Sequence, residues 1–276
     1  MDFFGNLTTV NNKLAALAPG VQEFSSGNYR TAVGYPIGYF YGYKATGVYQ
    51  NQEQANSAVP DVTVNKQKPV AGDMIFQDNN GPGTNGQQFS GQADGQITTD
   101  DRTNLGKTIP DFFYGFGANA SWKGLDLSLL FQGVSGVSVY NAYRAANETM
   151  TGTGNNQLVS VLNHWTGEGT SNTMPRATSR DLNSNTRFSS RWIESGDFLR
   201  LKNIQLGYNV PKTVMNKLKV AQSIRIYISG SNLFRITKYS GLDPEVSSAS
   251  SQLQAGTDNA NIPQPRTLQL GANLTF

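Results

Sequence analysis

The feature that most restricts this chain is strict alternation, and it is clearest in the final stretch, RTLQLGANLTF. Leu268, Leu270, Ala272, Leu274 and Phe276 fall on one face of an extended strand, and Thr267, Gln269, Gly271, Asn273 and Thr275 on the other. The same period of two runs through DFFYGFGANASWKG, which sets Phe112, Tyr114, Phe116, Ala118, Ala120 and Trp122 against Gly115, Gly117, Asn119 and Ser121. After a tight Lys123-Gly124 turn, Leu125, Leu127, Leu129 and Phe131 oppose Asp126, Ser128 and Gln132. In SIRIYISGSNLF, Ile224, Ile226 and Ile228 oppose Arg225, Tyr227 and Ser229. Asp2 to Leu14, Ile37 to Gln50 and Phe198 to Val210 read as further strands, which makes about seven of the ~10-residue alternating kind. Within Ile37 to Gln50, Ile37, Tyr39, Tyr41, Tyr43 and Tyr49 share a face.

A greasy face repeated on so many strands must lie against something, either a second sheet or lipid. The spacing of the strands bears on the choice. Lys123-Gly124 and PKTVMNKLKV (Pro211 to Val220) are short links, whereas 51–110, 137–196 and 236–265 are long and rich in Gly, Asn, Ser and Thr. Short turns at one end and long loops at the other is the pattern of an outer-membrane barrel, and a secreted β-sandwich is the alternative.

Composition fits either all-β reading and removes other classes. Charged residues are 15% and hydrophobic residues 37%, with 29 Gly among 276 residues and aromatics at 11%. That mixture describes strands and polar loops rather than a helical core. No stretch reaches the ~18 apolar residues of a spanning helix, which leaves strands as the only crossing elements. The net charge of +3 comes from scattered Lys and Arg, so no nucleic-acid surface is expected. Without Cys there is no disulfide framework. MDFFGNLTTVNNK lacks the basic start and apolar core of a signal peptide, so an exported protein would have a different native N-terminus.

Longer segments carry a family resemblance. RWIESGDFLRLKNIQLGYNVPK, IRIYISGSNLFRITKYSGLDPEV and PQPRTLQLGANLTF resemble the C-terminal signature of SusC/RagA-type TonB-linked outer-membrane transporters. PIGYFYGYKATGVYQNQEQ, PDFFYGFGANASWKGLDLSLLFQG and HWTGEGTSNTMPRA resemble upstream barrel segments of the same family, in the same order. The resemblance implies an antiparallel transmembrane β-barrel segment, an open arc of about seven strands from a 22-stranded barrel, with long extracellular loops. It also implies import of glycans or oligopeptides across the Gram-negative outer membrane, energising by the TonB system and a SusD-like surface lipoprotein as partner. No counterpart of the family's plug domain or TonB box is found, so residues 1–276 read as the C-terminal part of the barrel. A periplasmic C-terminus then puts the three long segments outside and the short links in the periplasm. Gly271, Leu274 and Phe276 match the last-strand signal read by the barrel-assembly machinery, and outer-membrane lipid would cover the greasy faces.

Three smaller motifs remain. The family often carries an EF-hand-like loop, and Asp78, Asn80, Asp94, the Gln96 carbonyl and Asp101 would be its Ca²⁺ ligands here. An insertion from about Pro82 to Ala93 splits that loop, so a solvated acidic loop is the competing reading. GPGTNG (Gly81 to Gly86) has the spacing of a dinucleotide fingerprint but no helix after it to receive a pyrophosphate. His164 is the single His and has neither Cys nor a carboxylate pair nearby, so no metal site, triad or other enzyme constellation is read. The expected function is part of a nutrient importer. The alternative is a non-transporting surface β protein, an adhesin or glycan-binding module.

Overall fold

The computed structural model describes residues 1–64, 67–81, 90–152, 156–218, 221–245 and 251–276. From β1 (Asp2–Thr9) the chain enters a long excursion carrying β2 (Glu23–Ser26), β3 (Tyr29–Ala32), β4 (Tyr39–Gly42), β5 (Ala45–Val48), α1 (Gln52–Asn56), β6 (Met74–Phe76) and β7 (Thr103–Gly106). It returns as β8 (Phe112–Trp122) and turns straight into β9 (Leu125–Ser135). A second excursion carries β10 (Ser138–Asn141), α2 (Ala142–Asn147) and β11 (Ile193–Ser195) and ends in β12 (Phe198–Asn209). The short helix α3 (Lys212–Leu218) links β12 to β13 (Ser223–Ser231). A third excursion, with β14 (Arg235–Thr237) and β15 (Thr257–Asp258), leads to β16 (Thr267–Thr275).

One antiparallel sheet of seven strands organises these elements, in the order β1-β8-β9-β12-β13-β16, with β14 pairing to the upper end of β12. Every long pair is a sequence neighbour in the sheet, so up-and-down connection alone builds it. The β8–β9 hairpin shows how sequence sets the register. Lys123 and Gly124 take φ of 47° and 88°, the two positive values a two-residue turn of the right twist needs. At Gly124 a Cβ would also stand 2.9 Å from the Asn209 carbonyl. Trp122 is thereby fixed opposite Leu125, and all eleven positions of β8 follow in register. At the other short link, Pro211 precedes the first turn of α3, where its fixed φ favours helix entry, and Met215 is buried beneath it.

The expected strand at Ile37 to Gln50 is not part of this sheet. It divides into β4 and β5, which join a four-stranded sheet (β2-β3-β4-β7) and a two-stranded sheet (β5-β6) inside the first excursion. Tyr39 and Tyr41 are buried there, and Arg30 stacks 4.2 Å from the Tyr41 ring. Tyr alternation reports a half-buried strand without saying which sheet it joins. The expected Asp2 to Leu14 strand ends at Thr9, so the first long loop spans 10–111 rather than 51–110. The long sheet therefore has six long strands, and the seventh is β14.

The three excursions gather at one end of the sheet and pack on each other. Phe40 of the first is fully buried, 6.5 Å from Tyr140 and 6.2 Å from Phe188 of the second. β10 of the second pairs in parallel with β15 of the third, and the Tyr29 hydroxyl of the first meets Thr257 of the third. Arg187–Asp61 at 2.6 Å and Arg176–Asp73 at 2.9 Å tie the second excursion to the first, and the buried Arg200–Asp243 pair at 2.5 Å ties the third to β12.

Candidate functional site

Cross-strand register sorts the side chains of the large sheet into two unlike faces. One row runs Ala120, Leu127, Leu206, Ile228, Leu270, and the next Trp122, Leu125, Tyr208, Ile226, Ala272. Phe3 and Leu7 of β1 extend the same face through Ala118 and Tyr114. These residues have no cover: Leu270 is 80% exposed, Phe3 75%, Trp122 68% and Ile228 49%. A continuous apolar surface across six strands is far larger than the patches that soluble monomers leave bare, and it matches the lipid face of a barrel wall.

The opposite face is polar and finely fitted. Its row between the two apolar ones runs Ser121, Asp126, Gly207, Tyr227, Gly271. Arg225 donates Nε to Asp126 Oδ1 at 3.0 Å and Nη2 to Oδ2 at 2.5 Å, and Asn209 donates to Oδ1 at 3.2 Å. Asp126 lies on β9 and Arg225 on β13, so the pair bridges across β12. It can do so because Gly207 lies beneath: a Cβ there would meet Arg225 Nη2 at 2.4 Å and Asp126 Oδ1 at 2.6 Å. Gly271 plays the same part for Tyr227, whose ring carbon Cζ would stand 2.4 Å from an added Cβ. Sequence reasoning placed Asp126 and Arg225 on the polar face. It missed their pairing, for which the Gly at register between them was the available signal.

The expected assembly residues run from the middle of β16 to just beyond its end. Leu274 pairs with Ile224 on the apolar face, and Phe276 is 79% exposed beyond the last paired residue. Gly271 lies on the polar face, opposite Tyr227.

The expected calcium ligands fall into two hydrogen-bonded turns. Asp78 accepts from the backbone N–H groups of Asp94 (3.2 Å) and Gly95 (2.8 Å), so the insertion does not keep these segments apart. Asp101 is fully buried and accepts from Asn79 N (2.7 Å), Asn80 N (3.0 Å) and Thr98 N (2.7 Å). Burial pushes its carboxyl above the usual carboxylate range, against the pull of those donors. Asn80 Oδ1 accepts from Gly91 N at 2.6 Å, and Asp94 Oδ1 from Gln96 N at 3.0 Å. Among the described residues no group of three His, Cys, Asp or Glu side chains is placed to hold a metal ion, and the oxygens of Asp78, Asn80, Asp94 and Asp101 accept from backbone N–H groups. Most of GPGTNG lies outside the described residues. His164 caps its own turn, with Nδ1 2.8 Å from the Val161 carbonyl, and Trp165 beside it packs on Val48, Met74 and Phe76.

No family model matches the chain. TonB-dependent receptor P26 of Formosa agariphila is 32% identical over 255 residues, covering 91% of this chain and 24% of that protein. Receptor P3 of the same organism is 32% identical over 248 residues, covering 88% of this chain and 22% of the relative. TonB-dependent receptor SusC of Bacteroides thetaiotaomicron is 26% identical across the full chain and 24% of its own length. The chain thus spans about a quarter of the length of these relatives. In fold it is similar to the RagAB peptide transporter, with a TM-score of 0.73 at 23% identity over 99% of this chain and 27% of the other. Among the described residues no second sheet lies against the apolar face, so the sandwich alternative falls away. The chain belongs to the SusC/RagA-type TonB-dependent receptors, of which it carries an open arc of barrel and the loops joined to it.

Proposed function

We propose that this chain forms part of the wall and outer loops of a nutrient importer in the Gram-negative outer membrane, taking up glycans or oligopeptides. In this reading the apolar face meets lipid and the Asp126–Arg225 face borders the lumen. The loops 10–111, 136–197 and 232–266 stand outside the cell, and Lys123-Gly124 and 210–222 in the periplasm. TonB would act through a plug supplied by sequence beyond this chain, and a SusD-like lipoprotein would meet the loops. Gly271, Leu274 and Phe276 would present the last strand to the barrel-assembly machinery. The observation that carries the proposal is the uncovered apolar face across all six long strands, opposite a polar one. Similarity to named receptors supports import over adhesion.

Cysteine labelling of intact cells tests it, in the complete receptor that contains this chain. A cysteine at Ile262, which is 90% exposed on the third excursion, should react with an impermeant maleimide, and one at Lys123 should not. The reverse pattern would overturn the orientation, and labelling of both would overturn membrane insertion.

A further inference from the structure

Arg102 holds a free guanidinium edge at an open cavity. Among the described residues every other buried or half-buried arginine pairs with a carboxylate, and Arg102 pairs with none. Its Nε donates to the Thr99 carbonyl at 3.0 Å, and its Cζ stands 5.3 Å from the centroid of the Tyr41 ring, two contacts that hold the side chain in place. Nη1 and Nη2 donate to no described residue, and neither is sealed from solvent. A positioned guanidinium with both terminal groups in reach matches an oxyanion through two parallel hydrogen bonds.

The cavity it lines, about 290 Å³, has an aromatic wall and a donor-rich rim. Tyr35 is 48% exposed and is backed by the buried Tyr39, with ring centroids 5.3 Å apart. Its N–H donates to the Ala32 carbonyl and its own carbonyl accepts from Leu14 N–H, so the ring stands on a fixed backbone. An accessible, rigid aromatic ring is the surface on which the C–H side of a sugar ring packs. On the rim, Asn104 Oδ1 accepts from Gly106 N at 2.9 Å, so its amide N–H groups remain to donate. Arg30 and Glu23 pair with each other at the wall, which leaves the lining the positive charge of Arg102. Asp100, whose charge reaches Tyr41, does not line the cavity.

We propose that this cavity binds one anionic sugar unit, its ring against Tyr35, its carboxylate or sulfate on the Nη edge of Arg102 and its hydroxyls within reach of Asn104. The volume is near the low end of ligand pockets, about 300 Å³, and suits a single ring rather than a chain. All of these residues belong to the first excursion, so the site needs no other loop to complete it. The proposal rests on the importer reading only in taking the saccharide as cargo. Labelling at Ile262 and Lys123 can fail while binding holds, and binding can fail while labelling holds.

Calorimetry on the complete receptor in detergent tests the assignment with glucuronate, glucose 6-sulfate, glucose, N-acetylaspartate and inorganic sulfate. At least one of the two anionic sugars should bind at one site per chain, at least tenfold tighter than glucose. The tighter of the two names the anion, and equal binding means that the site accepts both. Arg102→Gln should weaken that binding at least tenfold. Tyr35→Ala trims a half-exposed side chain and keeps its backbone bonds, so it decides the matter if Arg102→Gln fails to fold; it should weaken binding at least fivefold. Glucose binding as tightly as the anionic sugars, no binding by either of them, or binding unchanged in a folded variant would overturn the proposal. Sulfate or N-acetylaspartate binding as tightly as the anionic sugars would overturn the saccharide assignment.

Discussion

Arg225 and Asp126 join hands over a third strand, Nη2 to Oδ2 at 2.5 Å, with only the α-carbon of Gly207 beneath them. Both side chains keep some exposure, 23% and 30%, so solvent screens the pair and its worth is modest. Gly207→Ala should lower stability slightly by pushing the two charged ends apart. Most of that cost should vanish in an Asp126→Asn background, since the two changes remove the same interaction. Thermal midpoints of the heat-modifiable barrel, measured for both singles and the double, check this; full additivity would show that the strands, not the pair, feel the added methyl.

Gly271 tests whether the last-strand signal is a packing requirement as well. An added Cβ would meet the Tyr227 ring, which is rigid and cannot slide off as a flexible side chain would. Gly271→Ala should lower the yield of folded barrel, at a stability cost of about 1–3 kcal/mol. Tyr227→Ser should restore it. Persistent failure of the double variant would mean that Gly271 is read by another protein instead.

Phe276 makes the contrasting case. It is 79% exposed and lies beyond the last paired residue, so its loss should barely change the stability of an assembled barrel. Phe276→Asp should instead reduce the amount inserted several-fold, seen as protein missing from the membrane fraction at unchanged synthesis. Equal heat-modifiable protein in wild type and variant would remove the assembly role.

Asp101 should hold its loop without metal. Three backbone N–H groups converge on it, and truncation to Ala leaves them buried and unpaired, at about 1–3 kcal/mol each at most. Limited proteolysis should show earlier cleavage between residues 78 and 101 in Asp101→Ala. EDTA on the wild type should change nothing. Chelator-induced cleavage would restore calcium to this loop.

Acid should loosen the third excursion through Asp243. Its burial opposes ionisation, but donors from Glu245 N, Arg200 and Gln264 N together hold the carboxyl below the usual range. A depressed folded value means the stabilisation is present above the unfolded pKa, about 3.9, and is lost as pH falls below it. Protease sensitivity of residues 232–266 should rise below about pH 4. Asp243→Asn should show the loose behaviour at neutral pH already, because Arg200, only 3% exposed, would lose its buried carboxylate and keep only Glu245, at 3.3 Å, as a charged partner.

The barrel strands were legible because each carries its own evidence. Leu125 to Phe131 alternates without interruption, and Lys123-Gly124 names its turn. Ile37 to Gln50 misled because Tyr suits both a membrane wall and a buried loop strand, and only its pairing with Arg30 and Asn104 decides between them. Asp78 and Asp101 were found as acids at suggestive spacing. Their partners are backbone N–H groups, which no side-chain pattern displays.

The interlocking of Phe40, Tyr140, Phe188 and the β10–β15 pair across three excursions has a consequence for inheritance. Loops that share one interior cannot be traded singly: a foreign first loop would bring a side chain of the wrong shape to a socket made by the second and third. New surface specificity in such a receptor should then arise by exchange of all three loops together, or by changes confined to their outer residues, while the strands that carry them stay as they are.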